Sequence, residues 1–299
     1  MITLERIADL RATCEAARRD AKTVGLVPTM GFFHEGHLSL MRAAHAAHDL
    51  VVVTIFVNPL QFGAGEDLDG YPRDLAGDRA AAEGEGVDVL FTPSVAEMYP
   101  EPTHTTVHVD GLTAGLCGAA RPTHFDGVTT VVAKLFSIVG PCTAYFGRKD
   151  AQQIAVVRRM AVDLDLPAVV VGCPLVRESD GLAMSSRNAY LSAEEREASR
   201  VLYRSLCVAA DAVIAGERDP AVLRRGIESM VASERLVGHE YAEVRRAADL
   251  SPVDRLDGEI LVAVAARVGS ARLIDNVTIT IAGGEVTTDL GVITQESEH

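Results

Sequence analysis

Through its first 176 residues the sequence alternates short apolar runs with helix-period patterns, and this alternation restricts the fold more than any other feature. The runs are Val24 to Val27, Leu50 to Val57, Val87 to Phe91, Thr143 to Phe146 and Ala168 to Cys173. Helical patterns lie between and before them, at about Leu4 to Arg19, from the His34 region onward, and at Asp74 to Glu83, Phe125 to Ile138 and Asp150 to Leu164. Strands that are apolar throughout must be covered on both faces, and strands alternating with helices run parallel. The expected fold is α/β, a Rossmann-like doubly wound parallel sheet over residues 1–176. Such sheets bind ligands outside the carboxyl ends of their strands, where the strand order reverses.

Past Pro174 the pattern changes. Ser192 with Glu195 forms a capping box that opens a long helix to about Ala215, and Asp219-Pro220 opens another to about Arg235. Two strand-like runs, Ile260 to Val268 and Arg272 to Ile281, surround Gly269-Ser270-Ala271 as a hairpin. Residues 177–299 are therefore expected to form a smaller α+β C-terminal lid domain. From Gly283 the chain is polar and without period, so 283–299 is expected to be a mobile tail.

The chemistry concentrates in Pro28-Thr29-Met30-Gly31-Phe32-Phe33-His34-Glu35-Gly36-His37. An apolar strand ends there in a glycine-containing turn that opens a helix. A helix start carries N–H groups without intrahelical partners and the positive end of the dipole, which suits phosphate. His34 and His37 are three residues apart and share a helix face, each able to donate to a phosphate oxygen from a neutral ring or to add charge when protonated. HEGH is one residue short of the four-residue spacing that places two histidines on zinc. An ordinary helix start with two surface histidines is the other reading that the motif alone allows.

Composition excludes several classes. The net charge of −14 argues against a nucleic-acid partner held on a basic surface, and the excess is shared equally between 1–176 and 177–299. No apolar run is long enough to span a membrane, and the N-terminus has no basic-then-apolar leader. Five scattered cysteines without a CxxC pair suit reduced thiols, hence a cytoplasmic location. In so acidic a chain a polyphosphate ligand needs a local cationic pocket, and the only lysines are Lys22, Lys134 and Lys149.

Lys149 follows a strand end and starts a helix, so its ammonium can lean across the ligand crevice; a solvated surface lysine is the plainer reading. Gln153 lies one turn on and shares its face, and Gln61 follows the turn-forming Asn58-Pro59, though either is also ordinary loop or helix polarity. Ser185-Ser186-Arg187, on a loop preceded by Gly181, can wrap phosphates or serve only as a flexible linker.

Together PTMGFFHEGHLSL, IFVNPLQF, RPTHFDGV, FGRKDAQQ and VRESDGLAMSSRNAYL, with the weaker Arg272-Leu273-Ile274-Asp275-Asn276, resemble the pantothenate synthetase (pantoate–β-alanine ligase) family. HxGH alone marks only the wider nucleotidyltransferase superfamily; five motifs in order are far more specific. The resemblance implies a two-domain homodimer that uses Mg-ATP to join (R)-pantoate to beta-alanine, releasing AMP and pyrophosphate through a pantoyl adenylate. It assigns Met30, Gly31, His34, His37, Gly147, Lys149, Asp150, Val176, Met184, Ser185, Ser186 and Arg187 to ATP. Among these His37, His34 and Lys149 are catalytic, with His37 the expected acid toward the departing phosphate. It assigns Gln61 and Gln153 to pantoate, and places Asn58, Arg121 and His124 in the same pocket. The Mg²⁺ ligands are not legible. Cys117 and Arg148 stand where some relatives have glutamate. A true nucleotidyltransferase and a non-catalytic nucleotide sensor are the alternatives from other classes.

Overall fold

Strands β1 (Ile2–Leu4), β2 (Val24–Thr29), β3 (Leu50–Ile55), β4 (Val89–Phe91), β5 (Cys142–Gly147) and β6 (Ala168–Cys173) form one sheet, ordered β1-β4-β3-β2-β5-β6. Every neighbouring pair is parallel. The computed structural model describes residues 1–294, and the chain divides into two compact units, Met1–Cys173 and the part from Pro174 onward. From β2 the order runs outward through β3 and β4, then reverses so that β5 and β6 extend the other side. The switch point thus lies between β2 and β5, which pair through Gly25↔Thr143 and Leu26↔Ala144.

Helices α1 (Ile7–Arg19), α2 (Glu35–Ala47), α3 (Leu75–Gly84), α4 (Val95–Met98), α5 (Cys117–Ala120), α6 (His124–Val139) and α7 (Ala151–Asp163) fill the connections. Leu40, Met41 and Ala44 of α2 and Ala82 of α3 pack with Val27, Val51, Val53 and Leu90 in one buried cluster. Leu26 and Val52 alternate to the opposite face and are also fully buried. Burial on both faces explains why these strands read as unbroken apolar runs, each large side chain contributing roughly 1.5–3 kcal/mol. Leu4, expected to begin the first helix, instead ends β1, which lies in register with Val89, Leu90 and Phe91 and completes the otherwise open edge of β4; the helix starts at Ile7.

The second unit starts earlier than expected, at Pro174, because β7 (Val176–Arg177) pairs with β12 (Val292–Ile293) rather than with the parallel sheet. Its long helix is two, α8 (Ala193–Ser199) behind the Ser192–Glu195 capping box and α9 (Val201–Ile214), followed by α10 (Pro220–Ala232). These helices cover a four-stranded antiparallel sheet ordered β11-β10-β9-β8, made of β8 (Val237–Arg246), β9 (Gly258–Val268), β10 (Ala271–Ala282) and β11 (Glu285–Asp289). The sequence reading missed β8, which carries a register shift between His239 and Tyr241.

The tail expectation needs correction. Gly283 and Gly284 have φ of 59° and 90°, the conformation a two-residue hairpin turn demands, and Ala282 pairs with Glu285 across it. Residues 285–289 and 292–293 are strands, stabilised by partners too distant in sequence for local polarity to reveal. The last part of the expected tail, 295–299, lies outside the described residues.

Candidate active site

At the end of β2 the chain turns through two successive left-handed residues, Gly31 (φ 84°) and Phe32 (φ 55°). Asp78, buried on α3, holds this turn: its carboxylate accepts the main-chain N–H of Phe32 at 2.7 Å and of Phe33 at 2.6 Å. Burial pushes the Asp78 carboxyl upward against the opposing pull of these two N–H groups. The approach requires glycine, since a Cβ on Gly31 would stand 2.8 Å from Asp78 Oδ2 and 2.9 Å from Ile55 Cγ2. Nothing in the sequence distinguished Asp78, a lone acid in an alanine-rich helix; its only signal is the four-residue spacing to buried Ala82.

The turn delivers His34 as the N-cap of α2. Its Nδ1 accepts the Gly36 N–H at 3.2 Å, and His37 Nδ1 accepts the His34 N–H at 3.4 Å. A nitrogen that accepts carries no proton, so each neutral ring bears its hydrogen on Nε2. The rings stand 4.1 Å apart between centroids. Burial, then the charge of Lys149, lowers His34 to about 4. His37 falls well below its ordinary value through burial, His34 and Lys149, with Asp150 opposing. Both shifts favour the uncharged ring, which acts as a hydrogen-bond donor.

Lys149 lies in the Arg148–Asp150 turn between Gly147, the last residue of β5, and α7. It follows the end of β5, the strand that pairs with β2 at the switch point, and its charge lowers both histidines. Gln153, in the first turn of α7, is half-buried, and its side chain makes no hydrogen bond among the described residues. The adjacent Gln152, which the sequence reading passed over, is buried and fully committed. It accepts the Cys117 N–H at 2.9 Å and donates to the Leu112 and Gly115 carbonyls at 2.9 and 2.8 Å.

A second cluster adjoins the turn through Met30, whose Sδ lies 3.1 Å from Gln61 Nε2. Asn58 is buried and its side chain is saturated. It donates to the Gly127 carbonyl at 3.0 Å and Gln61 Oε1 at 3.2 Å, and its Oδ1 accepts from Leu60 N–H and Tyr99 hydroxyl. Asn58 therefore orients Gln61 within the pocket in which the sequence reading placed both. Arg121 donates to the Gln61 carbonyl at 3.1 Å and pairs with Glu66 at 2.5 Å. Burial would raise the Glu66 carboxyl, but Arg121 outweighs it and holds the group below its usual range. His124 donates from Nδ1 to the same carbonyl at 2.9 Å, since a carbonyl can only accept. Its Nε2 is consequently an acceptor, the reverse of His34 and His37; burial first, then Arg121, lowers it to about 4.

The first unit thus gathers Met30, Gly31, His34, His37, Asn58, Gln61, Arg121, His124, Lys149, Asp150 and Gln153 around the carboxyl ends of its central strands. Val176, Met184, Ser185, Ser186 and Arg187 belong to the second unit. There Ser185 Oγ accepts the Arg187 N–H at 3.3 Å and opens a short 3₁₀ turn over Ser186–Tyr190.

A doubly wound parallel sheet with paired histidines on a helix start and a lysine across the switch point defines a nucleotide-handling α/β enzyme. The family model described as Pantoate-beta-alanine ligase matches residues 2–278, so the chain belongs to that ligase family. It is 56% identical over 281 residues to the pantothenate synthetase of Heliobacterium modesticaldum, covering 94% of this chain and 100% of that one. The crystal structure of pantothenate synthetase from Thermus thermophilus is 48% identical with a TM-score of 0.87, covering 92% of this chain and 98% of that one. The pantoate-beta-alanine ligase of Francisella tularensis, complexed with beta-gamma ATP and beta-alanine, is 31% identical with a TM-score of 0.75, covering 92% of this chain and 97% of that one.

Proposed function

We propose that the chain condenses (R)-pantoate with beta-alanine using ATP, through an enzyme-bound pantoyl adenylate. The observation that carries this reading is the pair of neutral Nε2–H donors on His34 and His37 beside the Lys149 ammonium at the switch point. A carboxylate resists attack by an amine because oxide is a poor leaving group. A pantoate carboxylate oxygen attacks the α-phosphorus of ATP, the bond to pyrophosphate breaks, and the carboxyl becomes an acyl phosphate ester. The beta-alanine amine then attacks the carbonyl carbon, the bond to the AMP oxygen breaks, and the amine sheds a proton to form the amide.

The first step builds negative charge on the α-phosphate and pyrophosphate. Preorganised donors that need no reorganisation suit it. His37 and His34 serve there as neutral hydrogen-bond donors, with Lys149 supplying the cation. Asp150 and Gly147 flank the nucleotide, and Val176, Met184, Ser185, Ser186 and Arg187 complete its contacts. Gln61, oriented by Asn58, and Gln153 hold pantoate, while His124 Nε2 offers an acceptor for a hydroxyl or ammonium. Arg121, neutralised by Glu66, frames the pocket.

Among the described residues no group of three or more His, Cys, Asp or Glu converges to hold a metal ion. The single carboxylate of Asp150 beside Lys149 fits Mg²⁺ carried mainly by nucleotide oxygens and water. When bound, Mg²⁺ supplies charge neutralisation on the phosphates.

A homodimer is supported by the edge strand β6, where Val169 is 64% exposed, next to Val162 of α7 at 67%. Light scattering at graded concentrations tests it. All five cysteines are free, which supports a reducing, cytoplasmic setting. Among the described residues no helix is long and apolar enough to cross a membrane.

The deciding experiment supplies pantoate labelled with heavy oxygen in its carboxylate. One labelled oxygen is expected in AMP for each pantothenate formed, and pantoate alone is expected to support exchange of pyrophosphate into ATP. Pantothenate made with unlabelled AMP would refute the adenylate.

A further inference from the structure

One side chain organises the second unit. Arg177 is 0% exposed, and a guanidinium has five N–H donors and no acceptor. Nη1 donates to Asp275 Oδ2 at 2.7 Å and the Gly181 carbonyl at 3.1 Å, and Nη2 donates to Asp275 Oδ1 at 2.9 Å and the Asn276 carbonyl at 3.3 Å. Nε donates to the Leu290 carbonyl at 2.5 Å, and the Tyr203 ring stacks 4.0 Å from the guanidinium carbon. Every N–H has its acceptor. The acceptors come from three separate stretches: β10, the 178–183 hairpin, and the chain just after β11.

The backbone repeats this convergence. On one side of Val176–Arg177, Arg177 bridges Ala183 and the Val176 carbonyl accepts the Met184 N–H at 3.0 Å. On the other side β12 runs parallel to it: the Val292 N–H meets the Leu175 carbonyl at 2.7 Å, and the Thr294 N–H and hydroxyl meet the Arg177 carbonyl at 2.9 and 3.0 Å. Gly291 (φ 84°) permits the close passage, since a Cβ there would stand 2.7 Å from the Leu175 carbonyl oxygen and 3.2 Å from Arg177 Nε. The family match ends at residue 278, so this strap lies wholly beyond it.

We propose that the C-terminal strap, residues 290–294, acting through Arg177, is a positioning element for the Met184–Arg187 loop. Its value for catalysis rests on the reading of that loop as a phosphate contact. Without the strap the buried Nε–H has no acceptor, and a charged donor left so is costly. Turning the guanidinium to rescue it releases the Gly181 carbonyl, and with it the hairpin that ends at Met184. Asp275, in the Arg272–Asn276 motif, thereby gains a role: it holds the other edge of the same guanidinium.

The test compares a chain ending at Asp289, which keeps β11, with Gly291→Val in the full chain and Arg187→Ala as a reference. Hydrogen exchange at the Met184 amide should quicken about tenfold or more in both strap variants, the scale of one lost buried hydrogen bond, with β9 amides unchanged. The ATP KM in pantoate-dependent pyrophosphate exchange should rise by a similar factor while the pantoate KM holds within about twofold. Unchanged Met184 exchange in both strap variants overturns the proposal, as does an equal rise across β9, which would mean general destabilisation. If Arg187→Ala leaves ATP kinetics untouched, the phosphate reading of the loop fails instead, and Met184 exchange still decides whether the strap shapes it.

Discussion

His37 Nδ1 accepts the main-chain N–H of His34 at 3.4 Å, and this one contact fixes how the site can act. It commits the proton to Nε2 and closes the start of α2 on itself. The ring that faces a ligand is then a neutral donor, held by the same bond that ends the turn.

Replacing His37 by alanine is expected to lower kcat far more than it weakens ATP binding, because the donor serves charge that develops in the transition state. The scale for losing such a donor is roughly 10²–10³-fold. Steady-state kinetics with pyrophosphate exchange check this; near-normal turnover in a folded variant would return the ring to the role of a helix cap.

Asp78→Asn replaces a carboxylate that accepts two N–H groups by an amide whose NH₂ must face one of them. Hydrogen bonds to a charged acceptor contribute about 1.5–3 kcal/mol, partly offset here by ending the burial of a charge. The melting temperature should fall by only a few degrees, whereas kcat/KM should fall more than about tenfold as the His34 turn relaxes. Thermal melts beside kinetics separate the two, and a proportionate loss of both would reduce Asp78 to a core contact.

Lys149→Ala should slow adenylate formation in single turnovers while sparing the use of preformed pantoyl adenylate. The cation is needed while pyrophosphate departs, not when the amine attacks. Equal damage to both half-reactions would mean that Lys149 keeps the pocket together instead.

The buried histidines also set a pH dependence. His34 and His124 are lowered from 6.5 to about 4, so between those values the unfolded chain binds more protons than the native one. Stability is then complete above about pH 6.5, falls as the pH drops toward 4, and levels below. One ring can contribute at most about 1.4 kcal/mol per pH unit, and less here because both rings reach solvent. Urea midpoints at several pH values should show a shallower slope in His124→Asn than in the parent; identical slopes would contradict a neutral native ring.

The sequence by itself determined the parallel α/β unit, the turn from Thr29 to His37 and the capping box at Ser192, because periodicity, glycine and cap chemistry act within one or two helical turns. It also expected Lys149 to start a helix, whereas Lys149 lies in the Arg148–Asp150 turn ahead of α7. Only the tertiary structure decided that β1 completes the edge of β4, that Asp78 holds the turn, and that Gln152 rather than its neighbour is spent on the scaffold. Those contacts join residues 35 to 87 positions apart, and no local pattern records which acid or amide will be buried. The tail shows both limits. Gly283-Gly284 carried a readable hairpin signal, but the pairing of Val292 with Val176 depends on a partner more than a hundred residues away, chosen by the shape of the folded sheet.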